Sequence, residues 1–473
     1  MTLKEILKQE TGRNIDYIDN SLYVGEWLDW YRGKVKSFHN YSIYNGKNYI
    51  PFKRFSLSMA KKACEDWANL LINEKTDITL SDENSQKTLE KIFDDCHFWR
   101  KANDGIEKTF ALGMGAFVVS VENLMADDSG VIVSKENAKV KVSFINATKI
   151  NPVTFEDGDI TECIFITKNT KKTIVSAHLK DENGIYNIYN ITAEGTDESN
   201  LGEIKSFYVF NTNSQIPWFS IIRPNISNNI DINSPLGISI FANHIDILKE
   251  IDLIYDSYQN EFSLGRKRIF VNARNTTINR NGDDCQVFDS NDVAFYVLPE
   301  ADNDDGVFIK NDTQPLRIGE HEQGLQNQLN LYSYACGFGT NHYKFNGGSI
   351  ATATQVVSEN SDLFRNLKKH EIIIEEALRT VVKAVIFAVN NYTTDNIDPE
   401  SAIDIKFDDS IIEDKQGEKA NDRMDVSMGV MSKAEYRSKW YNEDIKTAER
   451  KIDEIDSFSI PETDYTADDA ATE

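Results

Sequence analysis

Residues 234–268 have the sequence SPLGISIFANHIDILKEIDLIYDSYQNEFSLGRKR, and this stretch decides the fold. Ser234 followed by Pro235 is typical of an N-cap with proline at the first helical position. Apolar residues then recur in steps of three and four: Ile238, Phe241, Ile245, Leu248, Leu253, Tyr255, Tyr258 and Phe262. The pattern predicts one helix of about 30 residues, roughly 45 Å long, that ends at Gly265.

The chain before this helix mixes helices and strands. Residues 1–12 predict a short amphipathic helix without the apolar core of a secretory signal. Residues 55–73 and 85–112 each carry an apolar stripe at helical spacing, so they predict a helical layer. Residues 116–222 change to short β-rich runs such as AFVVSV and ECIFIT, separated by polar turns. This part of the chain therefore predicts an α+β domain with a meandering sheet.

The chain after the helix alternates again between predicted strands and predicted helices. A β-rich insertion (268–317), a second helix (320–336) and a glycine-punctuated loop (337–350) follow in order. Next comes a helix that starts at a Thr352/Gln355 capping box and runs to residue 389, with a kink expected at 358–362, where helix formers are few. A strand (402–407) and a charged helical segment (421–455) precede an acidic tail (461–473) that we expect to be disordered.

Charge and apolar patterning exclude several protein classes. The 473 residues include 51 Lys and Arg and 76 Asp and Glu, a formal net charge of −25. Such a chain repels a duplex over most of its surface, so any contact with DNA must be local. No run approaches the roughly 18 apolar residues of a membrane span. Five widely separated cysteines, with no C-x-x-C pair, indicate buried reduced thiols.

Motifs for catalysis or metal binding are absent or incomplete. The 337–348 loop lacks both the P-loop and the dinucleotide-binding spacing of glycines. It fits either a flexible interhelical connection or, as we prefer, a mobile loop that contacts a moving partner. His321-Glu322 lacks the second histidine of a zinc protease, because Leu325 stands there. The acidic run 302–306 is typical of a turn rather than of a calcium loop.

Two clusters of charge at the long helix leave alternatives open. Its carboxylates, Asp246, Glu250, Asp252, Asp256 and Glu261, form either a solvated face or a negative channel wall that keeps a polyanion from sticking. Arg266, Lys267 and Arg268 follow its C-terminal end, where they either stabilise the helix dipole or contact DNA. We favour the stabilising role for these three cations.

The order of these segments resembles the portal protein of tailed bacteriophages, of the type found in long-tailed phages of Gram-positive hosts. The stretches that carry the resemblance are RFSLSMAKKACEDWANLLINEKTDI (54–78), GGSIATATQVVSENSDLFRNLKKHE (347–371) and GVMSKAEYRSKWYNED (429–444). The resemblance covers nearly the whole chain. It implies a typically dodecameric ring at one capsid vertex, through which the genome is packaged and later leaves.

The resemblance also implies a division of the chain. We expect an α+β portal architecture: a wing (1–233), a stem helix (234–265), a small β-containing clip (266–318), a second stem helix (319–336), a tunnel loop (337–351), a long kinked helix (352–392), a wing return strand (393–420), a short helical crown (421–458) and a disordered tail (459–473).

Site residues and partners follow from the same resemblance. Asn341, His342, Tyr343, Lys344 and Asn346 are expected to contact DNA at the tunnel loop. Asp246, Glu250, Asp256 and Glu261 are expected to line the channel, with Arg266 to Arg268 at the base of the clip. The implied partners are other copies of the chain, double-stranded DNA, the terminase packaging motor, a head-completion adaptor, and the major capsid and scaffolding proteins. No membrane, metal, cofactor or catalytic residue is implied. The protein is expected to be made in the host cytoplasm and to reside in the virion.

Two other interpretations remain open at this point. One is a magnesium-dependent enzyme that processes nucleic acid through carboxylates such as Asp404, Asp408 and Asp409. The other is a minor head or scaffold protein of the capsid, which need not form a closed ring.

Overall fold

The computed structural model describes fifteen segments of the chain: 2–18, 21–44, 46–73, 76–126, 132–195, 202–264, 268–272, 277–280, 283–286, 295–298, 309–312, 315–344, 361–407, 415–441 and 443–457. The chain divides into two compact units. The larger unit comprises residues 1–347 with 361–408, and the smaller comprises 348–360 with 409–473.

The N-terminal helix closes one face of the largest sheet. Helix α1 (Leu3–Thr11) begins at a capping box between Thr2 and Glu5 and ends at Gly12, whose φ is +74°. Its apolar side packs on a five-stranded antiparallel meander, in a core that includes Leu7, Ile164 and Val175. The strands, in chain order, are β8 (Ile150–Glu156), β9 (Asp159–Lys168), β10 (Lys172–Lys180), β11 (Tyr186–Glu194) and β12 (Ile204–Asn211). The predicted short helix and meandering sheet are confirmed.

The predicted helical layer contains one more break than the apolar pattern suggested. The layer includes α2 (Ser21–Tyr31), α3 (Lys36–His39), α4 (Met59–Leu71), α5 (Glu83–Cys96) and α6 (Phe98–Leu112). The expected single helix over 85–112 is divided at His97, which adopts a left-handed φ of +52°. The break lets Phe93 and Phe98 stack with ring centroids 4.1 Å apart, so packing of the two aromatic rings accompanies the turn.

Smaller sheets complete the N-terminal part. Strand β1 (Asn40–Tyr44) pairs with β2 (Tyr49–Lys53) in a separate two-stranded hairpin. A three-stranded sheet joins β4 (Gly115–Glu122), β7 (Lys139–Asn146) and β13 (Phe219–Ile222), and β5 (Met125–Ala126) pairs with β6 (Ile132–Ser134). Strand β3 (Asp77–Leu80) pairs antiparallel with β19 (Ile403–Lys406), which comes from far along the chain. The strand predicted at residues 402–407 is therefore confirmed.

The long helix starts later than its N-cap signal indicated. Helix α7 spans Ile245–Leu264, 20 residues, after a short 3₁₀ turn at Ala242–His244. The prediction of a start at Pro235 is wrong because tertiary contacts hold the preceding residues in a non-helical path. The Ile240 N–H donates to the carbonyl of Phe110 at 3.0 Å, and a Cβ on Gly237 would lie 2.1 Å from the Gly113 carbonyl oxygen.

The region between the two long helices forms strands, as predicted. Strand β14 (Arg268–Asn272) pairs parallel with β17 (Phe295–Leu298) and antiparallel with β18 (Ile309–Asp312). Strands β15 (Thr277–Arg280) and β16 (Asp283–Gln286) form a hairpin. Helix α8 (Ile318–Ala335) then runs antiparallel to α7, since His321 lies by Glu261 and Gly324 by Ile254.

Helix α9 (Ser361–Tyr392) is the longest helix described, with 32 residues. Its predicted start, the Thr352/Gln355 capping box, lies outside the described residues, as does most of the predicted kink. Its buried stripe includes Ile374, Leu378 and Val385, and its C-terminal Tyr392 packs against Trp218 at a centroid distance of 5.7 Å.

The smaller unit contains three charged helices: α10 (Lys415–Met428), α11 (Lys433–Tyr441) and α12 (Ile445–Ser457). A reciprocal cap between Ser432 and Glu435 begins α11. Trp440 donates its indole N–H to Asp422 at 2.7 Å, which ties α11 to α10. The predicted acidic tail lies outside the described residues.

Four cysteines fulfil the prediction of buried thiols. Cys64, Cys96, Cys163 and Cys336 are free and buried. Burial raises the pKa of Cys336 to about 12 and also raises the pKa of Cys64 and Cys163. They therefore act as small apolar core residues. The side chain of Cys285 lies outside the described residues.

Candidate functional site

The candidate site comprises the helix pair α7/α8 and the loop base, which we define as residues 336–344 after α8. The loop base is anchored by hydrogen bonds from several elements. Trp67 on α4 donates its indole N–H to the carbonyl of Cys336 at 3.0 Å. Asn366 on α9 donates to the Gly337 carbonyl at 3.0 Å, and Gln326 on α8 donates to the Tyr343 carbonyl at 2.9 Å. This part of the loop is therefore fixed to the protein core rather than free.

Glycine makes the tight exit from α8 possible. Gly337 has a φ of +88°, which residues with a Cβ rarely adopt. A Cβ there would also lie 3.1 Å from the Asn366 side-chain nitrogen and 3.4 Å from the Trp67 ring. Both constraints come from the same close approach of the backbone to α4 and α9.

Aromatic packing fills the inside of the loop base. The Phe338 ring stacks between Trp67 and His342, with centroid distances of 4.8 and 4.5 Å. Tyr343 is 9% exposed, and its hydroxyl donates to the Asp66 carboxylate at 3.1 Å. Burial, together with the Asp66 charge, raises the pKa of Tyr343. Tyr343 therefore anchors the loop base to Asp66, and the expectation that it contacts DNA stays a prediction.

The Asp66 carboxylate on α4 accepts the hydrogen bonds that hold His342 and Tyr343 of the loop base to this helix. Burial by itself would raise its pKa, but hydrogen bonds from His342, Lys62 and Tyr343 outweigh burial, so the pKa of Asp66 is lowered. Lys62 reaches it at 2.5 Å and His342 at 3.4 Å. The His342 side chain, 29% exposed, is thus partly committed to this contact. Of the remaining loop candidates, Lys344 is exposed and Asn341 is half-buried, and Asn346 lies outside the described residues.

The acidic residues of α7 face three different environments. Asp246 and Glu250 are exposed, and together with Leu253 and Ser257 they form one stripe along the helix, which we call the acidic stripe. Glu261 instead points toward α8, where it accepts hydrogen bonds from Arg317 at 2.9 and 3.2 Å. The Arg317 guanidinium lowers the pKa of Glu261 to about 2. Glu261 thus forms an ion pair with Arg317, and its channel-lining role stays a prediction.

Asp252 and Asp256 face the segment that precedes α4. Asp252 accepts the Leu57 N–H at 2.7 Å and the His39 Nε2–H at 3.0 Å. His39 Nδ1 lies 2.9 Å from the Val35 nitrogen and 3.1 Å from the Val35 carbonyl oxygen. Asp256 accepts the Phe55 N–H at 3.1 Å and the Tyr41 hydroxyl at 3.4 Å.

Asp256 is only 4% exposed. Asp256 is therefore bonded within its own chain, and the expectation that it lines a channel stays a prediction. Arg266 and Lys267 lie outside the described residues, and only the backbone of Arg268 is described, in β14. Their helix-capping role stays a prediction.

A cleft of about 590 Å³ opens beside the loop base. Its lining includes Asn243, His244, Tyr334, Arg365, Lys369 and His370. Burial lowers the pKa of His370 to about 3 and also lowers that of His244, so both rings are neutral at pH 7. Arg365 and Lys369, one turn apart on α9, bring positive charge to the cleft, and Asp362, which also lines it, pairs with Arg365 at 3.6 Å. Sequence reasoning missed these two cations, although the run RNLKKH (365–370) carried the signal.

Residues proposed for magnesium chemistry are not brought together. Asp404 is exposed on β19 and pairs with Lys406 at 3.4 Å, while Asp408 and Asp409 lie outside the described residues. Within the described segments, no group of three or more His, Cys, Asp or Glu side chains could hold a metal ion. Over the same segments, every helix is too short or too polar to cross a membrane.

Comparison with known proteins identifies the class to which this chain belongs. The chain combines a mixed α/β body with an antiparallel helix pair joined by a small β module. A family model described as "Phage portal protein, SPP1 Gp6-like" matches residues 22–457. The chain therefore belongs to the SPP1 Gp6-like family of phage portal proteins, and the resemblance seen in the sequence is confirmed. It functions as a portal protein, which forms the channel at a capsid vertex.

Structural comparison gives one further similarity. A chain from a solved structure described as "Neck of native GTA particle computed with C12 symmetry" matches with a TM-score of 0.45 and 10% sequence identity. The match covers 92% of this chain and 97% of that chain. Among curated proteins, none matches the sequence significantly. Family membership decides against the minor head or scaffold interpretation and gives no support to the enzyme interpretation.

Proposed function

We propose that copies of this chain form a closed dodecameric ring in which the acidic stripe of each α7 faces the axis and double-stranded DNA passes between the stripes. The observation that carries this proposal is the stripe itself. Asp246 and Glu250 are exposed on one face, whereas Asp252, Asp256 and Glu261 are used inside the protomer. Lys249 pairs with Asp246 at 2.8 Å and offsets part of this negative charge, and Glu250 carries the rest.

A negatively charged surface is suited to a channel through which DNA must move without being bound. Tight DNA binding comes from Lys and Arg that replace counterions along the phosphates. Carboxylates facing the same phosphates repel them and leave the duplex mobile. A ring of identical stripes repeats this repulsion around the whole circumference, which favours sliding over binding.

Contact with DNA is then expected at a few points near the loop base. Lys344 is exposed at its end, with Asn341 close by in the chain, and Asn346 follows two residues later. Because the loop base is fixed to α4, α8 and α9, residues beyond it would start from a defined position. Arg365 and Lys369 add a second cationic position beside the same loop base.

The other partners follow from the portal role. The β14–β18 region between the stem helices would act as the clip, which meets the terminase motor during packaging and a head-completion adaptor afterwards. The wing would meet the major capsid and scaffolding proteins. The ring is proposed to be made in the host cytoplasm, to carry no cofactor, and to act without catalysis of its own, so ATP hydrolysis would belong to the terminase.

Electron microscopy and a packaging assay test the proposal. Purified protein should give end-on views of closed rings with an axial hole of duplex width. An Asp246→Lys/Glu250→Lys variant should still form rings but retain DNA, with a salt-dependent gain in affinity and slower packaging. Lys172→Glu/Lys205→Glu, remote charge changes in the five-stranded sheet, serves as the control. Rings without a hole, or an unchanged affinity for DNA in the α7 variant, would contradict the proposal.

A further inference from the structure

The β1–β2 hairpin, residues 40–53, is an apolar element without cover. Its strands expose Ile43, Tyr44, Tyr49, Ile50 and Phe52, and Tyr49 is 72% exposed. Among the strands that the structure describes, none pairs with this ribbon. An isolated two-stranded hairpin is marginally stable in water, and an exposed apolar cluster of this kind marks an interaction site.

The hairpin nevertheless has a fixed position beside α7. Tyr41 in β1 and Phe55 just beyond β2 both bind Asp256, and Leu57 binds Asp252. The Arg54 guanidinium lies 4.2 Å from the centroid of Phe38 and 4.8 Å from that of Tyr41, and it donates to the Phe38 carbonyl at 2.7 Å. The apolar side chains are therefore presented at a defined place on the flank of the helix.

Helical register places the hairpin and α8 on nearly opposite flanks of α7. Successive residues of an α-helix are rotated by about 100° around its axis, so Asp252 and Asp256, four residues apart, lie on one flank of α7. Tyr258 and Glu261, which contact His321 of α8, mark the other. The acidic stripe lies between these two flanks. If the stripe faces a ring axis, the hairpin flank of one copy therefore faces the α8 flank of the next.

Helix α8 offers a matching surface on that side. Gln323, Asn327, Leu331 and Tyr334 follow one another along a single exposed stripe, and Tyr334 is 62% exposed. We call this the α8 stripe. A ring of identical chains needs two different, complementary surfaces on each copy, because its contacts run head to tail. The hairpin and the α8 stripe are two such surfaces, and both expose apolar side chains.

Charge supports the same pairing. The hairpin, residues 40–53, contains Lys47 and Lys53 and no aspartate or glutamate, in a chain whose net charge is −25. Helix α8 carries Glu320 and Glu322 and neither lysine nor arginine. A cationic apolar hairpin is thus suited to an anionic surface with exposed apolar side chains.

We infer that the β1–β2 hairpin of one protomer docks on the α8 stripe of the neighbouring protomer, an inference that rests on the proposed ring. Cations with interleaved aromatic side chains also occur in nucleic-acid binding surfaces. The second copy is favoured here because the hairpin exposes the aliphatic Ile43 and Ile50, and because Arg54 is committed to contacts within its own chain.

Photo-crosslinking of intact rings tests the contact directly. Wild-type protein is first imaged, since absence of rings would contradict the proposed function before this inference is addressed. With p-benzoylphenylalanine in place of Tyr49, irradiation should give a covalent dimer whose cross-linked peptide lies within Ile318–Ala335. The same probe at Tyr208, 58% exposed on β12, should give no cross-link to α8. Rings whose Tyr49 cross-links map elsewhere would overturn the inference, as would cross-links formed only to added duplex DNA.

A matched pair of substitutions measures the energetic role. Ile50 and Ile174 are 40% and 41% exposed, the first on the hairpin and the second on β10. Ile50→Asp should lower the fraction of rings about tenfold or more in mass photometry, because a carboxylate would have to be desolvated in the contact. Ile174→Asp should leave the fraction of rings unchanged, and circular dichroism checks folding of both variants. Equal effects of the two variants would overturn the inference.

Discussion

Replacing Asp252 by alanine should release the segment that carries the β1–β2 hairpin from α7. The Asp252 carboxylate is 4% exposed and is the acceptor for two donors, the Leu57 N–H and the His39 Nε2–H. Alanine leaves both donors without an acceptor in a site where water has little access. A buried donor without a partner costs about 1–3 kcal/mol, so the two together should cost about 2–6 kcal/mol. Asp252→Asn keeps one carbonyl oxygen and should lose about half as much.

Hydrogen exchange measured by mass spectrometry shows which peptides of the chain lose stability. A loss of about 2 kcal/mol corresponds to roughly 30-fold faster exchange in peptides that contain Leu57. Asp246→Ala is the matched control, since this side chain is 91% exposed on the same helix and its removal should change exchange by no more than about twofold. If the Asp252→Ala and Asp246→Ala variants show equal hydrogen-exchange rates in peptides that contain Leu57, the anchoring role of Asp252 is refuted.

Three further predictions concern the loop base. Tyr343→Phe keeps the ring but removes the hydrogen bond to the Asp66 carboxylate, so peptides covering 336–344 should lose about 1.5–3 kcal/mol of protection in hydrogen exchange; unchanged protection would refute the anchor. Gly337→Ala should destabilise the protein by at least about 1–2 kcal/mol because of its positive φ, whereas Gly319→Ala, with open space around its Cβ, should not lower the melting temperature. Asp66→Asn should lower the free energy of unfolding most near neutral pH, because the pKa of Asp66 in the folded protein lies below its ordinary value of 3.8. This contribution to stability is present above that ordinary value and is lost as pH falls through the lowered pKa, so the difference in melting temperature between wild type and Asp66→Asn should be larger at pH 7 than at pH 3.

Periodicity in the sequence predicted the kinds and order of elements well, because helices and strands with one buried face carry that face in their spacing. Helix α1, the meander, the strands between α7 and α8, and α8 itself all lie where the pattern placed them. The exceptions are local. The cap signal at Ser234 and Pro235 was overridden by the packing of Gly237 on Gly113, and the stripe over 85–112 continues through His97 although the backbone turns there. Neither contact has a signature in the local sequence.

The site was less predictable because its residues are joined across long sequence separations. The loop after α8 has the composition of a mobile segment, yet Trp67, Asn366 and Gln326 hold its backbone in place. Nothing near Tyr343 in sequence indicates that its hydroxyl meets Asp66. The cations Arg365 and Lys369 could have been noticed as a pair one helical turn apart. Their position beside the loop base depends on how α8 and α9 pack, which a single sequence does not contain.

Helix α7 shows how the carboxylates of one acidic run come to lie in different environments. Five carboxylates along one helix cannot share a face unless their spacing follows the helical repeat. Asp246 and Glu250 are four residues apart and fall on the acidic stripe, whereas Asp252 and Asp256 form a second pair on a different flank. Glu261 falls on the flank that meets Arg317. The helical repeat thus places these carboxylates on three flanks of α7. One flank is exposed, a second binds the segment that carries the hairpin, and the third pairs with Arg317 at the start of α8. A substitution in α7 is therefore expected to affect repulsion of DNA, hairpin docking or α7–α8 pairing according to its position in the helical repeat, and not according to its charge alone.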